Sequence, residues 1–440
     1  MAGPTSYFDP ASPDAAALDP RTADLIRRRT AALGPAYRLF YRDPVEFVRG
    51  ERAHLFDRGG VDYLDAYNNV PAVGHAHPRV VAAIADQAAR LNTHTRYLDD
   101  ATVAYAEDLL GTFADAGAGA LGNVMFACTG SEANDLALRV AKAATGREGV
   151  IVTWNAYHGV TTEVAAISPS LGGVDSLAQW TRVIRAPGTQ FGTDPVDVVE
   201  AVEATVGELD AFGIPVAALI VDTVFASDGV HPQVAGLARA VAAVRKAGGL
   251  FIADEVQPGF GRLGEGMWGF ARYGLVPDLV TLGKPMGNGH PVAALVGRPE
   301  LIAAFAARGR YFNTFGGNPV AIAAAQATLD VVRDEGLVDN ARVIGARLLA
   351  GVQALAAADP RIGGVRGAGL FLGVDVVDAD GRPDESRALD IVNALRDRHV
   401  LIAASGAANH TLKIRPPLVF DDADADRLLT ELAATLAAID

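Results

Sequence analysis

The chain has 440 residues, half of them hydrophobic and 20% charged, with a formal net charge of −14. That length and hydrophobic fraction suit two packed lobes rather than one small core, and the acidic balance argues against a nucleic-acid partner, which needs a basic face. The single cysteine, Cys128, excludes an internal disulfide framework and fits a reducing compartment.

Residues 1 to about 60 are rich in Arg, Asp and Pro and read as an arm carrying a short helix from Thr22 to Leu33. The opening Met1-Ala2-Gly3-Pro4-Thr5 lacks the basic and apolar segments of a signal peptide. No uninterrupted apolar run reaches the roughly 18 residues of a membrane span. A cytoplasmic protein with no membrane partner is therefore expected. Short apolar runs follow at Val124–Cys128, Val150–Thr153, Ala218–Val221, Leu250–Ala253 and Leu279–Leu282. Continuous runs of this kind suit strands buried on both faces of a parallel sheet.

Helices are predicted between them. Ala133, Leu136, Ala137, Val140, Ala141 and Ala144 share one helical face, closed by Gly146 as a C-terminal cap. Pro232 opens a second predicted helix that ends at Gly248. Alternating strands and helices imply an α/β fold, with a mostly parallel sheet flanked by helices. The last hundred residues change order: strand (369–376), helix (385–398), strand (400–403), strand (411–414), helix. This predicts a smaller α+β domain. The expected division is an N-terminal arm over 1–70 that contributes to the small domain, a large domain over 71–325, and the small domain over 326–440.

Two charged residues end buried strands. Asp254 closes Leu250-Phe251-Ile252-Ala253, and a carboxylate there is costly unless paired. Ligands in open α/β sheets bind beyond the carboxyl ends of strands, so Asp254 is placed to meet one. Lys284 follows Leu279-Val280-Thr281-Leu282-Gly283. A desolvated lysine has a lowered pKa and attacks carbonyls. An Asp and a Lys on strand ends suit a Schiff-base cofactor whose pyridinium nitrogen needs an anionic partner; a turn-capping Asp and a solvated loop Lys are the plainer readings. Gly130-Ser131 joins a strand to a helix start, a phosphate seat or an ordinary N-cap. Tyr157, in Tyr157-His158-Gly159, offers a flat face to a ring or packs in the core.

These motifs carry a resemblance. Gly-Ser-Glu-Ala-Asn (130–134), Tyr-His-Gly (157–159), Asp-Glu-Val-Gln-Pro-Gly-Phe-Gly-Arg (254–262), Gly-Lys (283–284) and Thr-Phe-Gly-Gly-Asn-Pro (314–319) stand in the order and spacing of the class III aminotransferases. The chain resembles these fold type I enzymes, which use pyridoxal 5'-phosphate, from about residue 40 to the end. The resemblance implies a seven-stranded, mostly parallel sheet. It also implies that Lys284 forms the Schiff base and moves the substrate proton, while Asp254 partners the pyridine nitrogen. Val256 and Tyr157 would flank the ring, Gln257 would reach its phenolic oxygen, and Gly130 and Ser131 would hold the phosphate. Thr314 would bind that phosphate from a partner subunit, implying a homodimer. Arg415 would grip a substrate carboxylate, since a planar guanidinium binds two oxygens at once.

Other patterns carry less. Gly259-Phe260-Gly261-Arg262-Leu263-Gly264 matches a dinucleotide fingerprint, but Glu265-Gly266-Met267-Trp268-Gly269 is a poor helix start. His75-Ala76-His77 runs into Pro78 with no ligand cluster beside it, so no metal is expected. Asp222-Thr223 stands where many members carry Glu-Pro, which puts a gating role for that acid in doubt. The stretches 67–70, 73–78, 91–98 and 287–291 are similar to a narrower subgroup. It holds mitochondrial-type alanine–glyoxylate aminotransferases and phospho-lyases acting on ethanolamine phosphate. The phospho-lyases tend to carry lysine where this chain has Arg415. The expectation is therefore transfer of an amino group from an amine or amino acid to a 2-oxo acid, through pyridoxamine phosphate; the alternative is elimination of phosphate and ammonia from a phosphorylated amine.

Overall fold

A computed structural model describes residues 8–9, 18–185 and 197–439; the N-terminal Met1–Thr5 lies outside them. Strands β1 (Phe47–Glu51), β2 (His54–Asp57) and β3 (Asp62–Asp65) open the chain. Then come β4 (Asn123–Ala127), β5 (Gly149–Thr153), β6 (Thr181–Ile184), β7 (Val216–Asp222), β8 (Leu250–Asp254), β9 (Leu279–Leu282) and β10 (Ala293–Gly297). The C-terminal part supplies β11 (Ile362–Ala368), β12 (Phe371–Val376), β13 (Val400–Leu401), β14 (Ala403–Ser405) and β15 (Thr411–Ile414).

The central sheet has seven strands in the order β4-β10-β9-β8-β7-β5-β6. Only β10 runs antiparallel to its neighbours; the rest pair in parallel. Period-two alternation fills both faces. Leu219, Val221, Phe251 and Ala253 enter one core, beneath the helices Asp100–Asp115, Val198–Ala211 and Leu237–Lys246. Ile220 and Ile252 enter the other, with Leu136 and Val140 of the helix Gly130–Thr145. That helix ends at Gly146 in the left-handed conformation, as its sequence predicts.

A third core joins Leu64, Val73 and Val80 to Val374, Leu412 and Leu428. The order β1-β2-β3-β13 ties the N-terminal strands to the C-terminal segment, and β11-β12-β15-β14 forms the remaining sheet. The helix Leu337–Ala358 is long and apolar enough to cross a membrane. Its Leu337, Ala341, Ile344, Leu348 and Val352 recur at three- and four-residue spacing and pack into this third core, as a covering helix does.

Some boundaries differ from the sequence reading. The helix after Pro232 begins only at Leu237, because Gly236 takes a left-handed conformation in front of it. The run 369–376 is the return half of a hairpin whose turn falls at Gly369 and Leu370. Residues 400–405 divide between two sheets.

Candidate active site

The site lies at the carboxyl ends of β4, β8 and β9. Glycines let those ends converge: a Cβ on Gly283 would come 3.2 Å from the Gly130 Cα, and one on Gly130 would come 3.0 Å from the Val256 side chain. A cleft of about 320 Å³ opens there, lined by Gly130, Ser131, Tyr157, Asp254, Val256, Gln257 and Lys284 among others. Seven residues singled out from sequence thus share one cavity.

Asp254 is 4% exposed and fully engaged. Its Oδ2 accepts from Asn134 Nδ2 at 3.0 Å and lies 2.7 Å from His158 Nδ1, while Oδ1 accepts from Val256 N at 3.0 Å. Asn134 is itself fixed: its Oδ1 accepts from Thr281 Oγ1 at 2.6 Å, and its Nδ2 also donates to the His158 carbonyl at 2.8 Å. This network holds the carboxylate at one orientation, as an ion partner for a ring nitrogen requires. His158 and Asn134 were visible only as members of quoted motifs; their role as supports needed the fold.

Lys284 opens a short 3-10 turn with φ of 29°, a left-handed value that is strained for a residue with a side chain. Burial lowers its pKa, and Arg415 lowers it further, against the opposing pull of Asp254 and Asp222. Such an amine is a nucleophile for a carbonyl.

The phosphate seat is a capped helix start. Thr129 caps Gly130–Thr145 and forms a reciprocal capping box with Glu132. First-turn amides of a helix have no partners of their own and attract an anion. Gly159 lies so close that a Cβ there would sit 2.3 Å from Ser131 Oγ, at a φ of 140°. Ser131 Oγ accepts from Val160 N at 3.1 Å. The helix start, the braced carboxylate and the desolvated lysine form one donor set that fits pyridoxal phosphate.

Arg415 lies behind Gln257, outside the lining of the cleft. It is 5% exposed, its Nη1 donates to Gln257 Oε1, and its Nε donates to the Tyr67 carbonyl at 3.2 Å. Gln257 Nε2 in turn donates to Asp222 Oδ2 at 3.3 Å. Lys413 lies in β15, two residues before Arg415, which follows the end of that strand. It is buried, and its pKa is pushed down to about 7 by burial and by Arg415. Asp222 is pushed up to about 6, first by burial and then by Asp254. Arg262, also buried, donates to the carbonyls of Leu370 at 3.0 Å and Pro416 at 2.6 Å, while its Nη2 has no partner among the described residues. Thr314 is not brought to this cleft; it is exposed on a surface loop.

The class III aminotransferase profile matches residues 41–436. The chain belongs to the class III aminotransferase family. A Drosophila melanogaster alanine–glyoxylate aminotransferase 2-like protein is 40% identical, over 94% of this chain and 87% of that one. The ethanolamine-phosphate phospho-lyase homolog 1 of Caenorhabditis elegans is 35% identical, over 98% and 97%. A solved phospholyase from Arthrobacter, in complex with phosphoethanolamine, is 42% identical with a TM-score of 0.90, over 95% of this chain and all of that one. An amine transaminase from an uncultivated Pseudomonas species, solved in its PLP-bound form, is 27% identical with a TM-score of 0.82, over 91% and 96%. The fold is that of these fold type I enzymes, and the cofactor of this class III enzyme is pyridoxal phosphate.

Proposed function

We propose that this family member eliminates phosphate from a small phosphorylated amine. The observation that carries the reading is the pair of buried cations, Lys413 and Arg415, beside Lys284. Asp222 and Asp228 face Lys413, but burial pushes each of these carboxylates up to about 6, so they hold the counter-charge of the two cations only in part. A phosphate dianion matches the two positive charges of the pair, and a single carboxylate matches one of them.

When bound, pyridoxal phosphate supplies an electron sink for the carbon that carries the substrate nitrogen. Asp254, fixed by His158 and Asn134, keeps a negative charge beside the ring nitrogen. Lys284 Nζ takes the proton from that substrate carbon. Lys413 and Arg415, behind the cleft wall at Gln257, supply the positive charge that favours the phosphate as its C–O bond breaks and it leaves with the electron pair. Overall, a phosphorylated amine and water become an aldehyde, ammonia and inorganic phosphate.

Transamination is the second reading, and Arg415 favours it, since its guanidinium is built for a carboxylate. Against it, Nε and Nη1 already donate to Tyr67 and Gln257, so the fork is partly committed. Under either reading we propose a homodimer in which Thr314 completes the partner's phosphate seat. Phe315, 69% exposed, and Tyr97, 66% exposed, belong to a surface apolar set that such an interface would cover. Incubating the purified holoenzyme with ethanolamine phosphate tests elimination directly: inorganic phosphate and aldehyde in equal amounts support it. Turnover only in the presence of a 2-oxo acid, without phosphate, supports transamination.

A further inference from the structure

Four nitrogen-bearing side chains line the cleft, and three of them already have a task. His158 Nδ1 lies 2.7 Å from Asp254 Oδ2, Gln257 Nε2 donates to Asp222 Oδ2 at 3.3 Å, and Lys284 is the buried amine that meets a carbonyl. The fourth is His290. A phosphate monoester carries close to two negative charges at neutral pH, yet among the described residues no arginine lines the cleft. What the helix start offers the cofactor's phosphate is backbone amide and the Ser131 hydroxyl, which already accepts from Val160 N at 3.1 Å.

The sheet brings His290 to that helix start. Strand β10 runs antiparallel to β4, with Ala293 opposite Ala127. Residues just before Ala293 therefore run back past residues just after Ala127, which brings His290 and Pro291 to the level of Thr129 and Gly130. All four line the cleft. The turn that carries His290 is fixed. Asn288 and Gly289 take left-handed φ values of 49° and 101°, and His290 N donates to the Gly287 carbonyl at 2.9 Å. Asn288 is pinned in turn: its Oδ1 accepts from Val73 N and its Nδ2 donates to the Gly74 carbonyl, each at 2.9 Å. His290 itself is half-buried, and burial lowers its pKa, so its ring meets an anion as a neutral donor or with a proton gained on binding.

We infer that His290 is a cofactor-binding residue, whose imidazole N–H donates to a phosphate oxygen of pyridoxal phosphate from the β10 side of the helix start. The role belongs to the cofactor seat, so it holds for elimination and for transamination alike. The substrate phosphate of the elimination reading has the same chemistry, and the experiment separates the two.

The parent, His290→Leu and His290→Glu are stripped of cofactor. Dissociation constants are then measured by equilibrium dialysis for pyridoxal phosphate and for pyridoxal, which lacks the phosphate. His290→Leu should bind pyridoxal phosphate at least tenfold more weakly than the parent, and pyridoxal within twofold of it. His290→Glu, which sets a carboxylate against the phosphate, should lose still more affinity for pyridoxal phosphate. Should one variant fail to fold, the other decides by the same ratio. Pyridoxal phosphate affinity within twofold of the parent would overturn the assignment; a tenfold rise in KM for ethanolamine phosphate beside it would give the ring to the substrate's phosphate instead. Equal losses for pyridoxal phosphate and pyridoxal would also overturn it, as the mark of a structural role. A parent that releases no phosphate defeats the elimination reading and leaves the dialysis result to decide His290 separately.

Discussion

Lys413 offers the sharpest handle on the charge argument. Its pKa falls from the ordinary lysine value to about 7 because burial and Arg415 disfavour the ammonium. At roughly 1.4 kcal/mol per pH unit, that depression is worth about 5 kcal/mol of lost charge stabilisation, part of which a bound dianion restores. The sign follows directly. Below pH 7 the free enzyme already carries the ammonium, and binding a dianion takes up no proton. Above pH 7 the amine is neutral, and each further pH unit adds about 1.4 kcal/mol to recharge it on binding. KM for ethanolamine phosphate should therefore be nearly flat from pH 6.5 to 7 and climb toward tenfold per unit between about 7.5 and 9. A phosphate monoester is already a dianion there, its second pKa being about 6, so the substrate does not produce the slope. Lys413→Arg, always charged, should flatten the profile. Lys413→Met should raise KM at pH 6.5 by roughly 10–150-fold, the cost of about 1.5–3 kcal/mol for a charge-assisted hydrogen bond. The assay is continuous phosphate detection over the pH series, with the cofactor band monitored throughout. A KM independent of pH from 6.5 to 9 in the parent, or an unchanged KM in Lys413→Met, would refute the assignment of Lys413 to the phosphate.

Other outcomes follow from the same geometry. Asp254→Asn leaves Lys284 free to bind the cofactor but removes the anion beside the ring nitrogen, so turnover should fall by on the order of 10³-fold at near-normal cofactor absorbance; a loss under tenfold argues against that partnership. Gly159→Ala forces a Cβ into Ser131 Oγ at 2.3 Å and φ of 140°, and equilibrium dialysis should show cofactor affinity reduced at least tenfold. Sedimentation should find a dimer, and Thr314→Ala should weaken cofactor retention while the dimer persists; a fully active monomer would exclude a site completed in trans.

The sequence made the buried strands legible because their apolar runs are continuous, and Asp254 and Lys284 stood out as charges at the ends of such runs. Edge strand β6, with Arg182 in its middle, carries a weaker pattern, whereas β10 is a continuous apolar run buried throughout and was as legible as β9. Long-range contacts were not legible at all. That Asn134 and His158 converge on Asp254 depends on residues 24 and 120 positions apart meeting at sheet ends. Lys413 was hidden differently: it reads as an ordinary strand residue until its burial beside Arg415 is seen.

The most direct test of the account is stoichiometry in the parent enzyme. Holoenzyme given ethanolamine phosphate, with no keto acid present, should release one inorganic phosphate and one ammonia for each aldehyde formed, over many turnovers, while the cofactor returns to its lysine-bound absorbance. A single turnover that halts with the cofactor in its amine form, resumes only when a 2-oxo acid is added and leaves phosphate esterified, would contradict it.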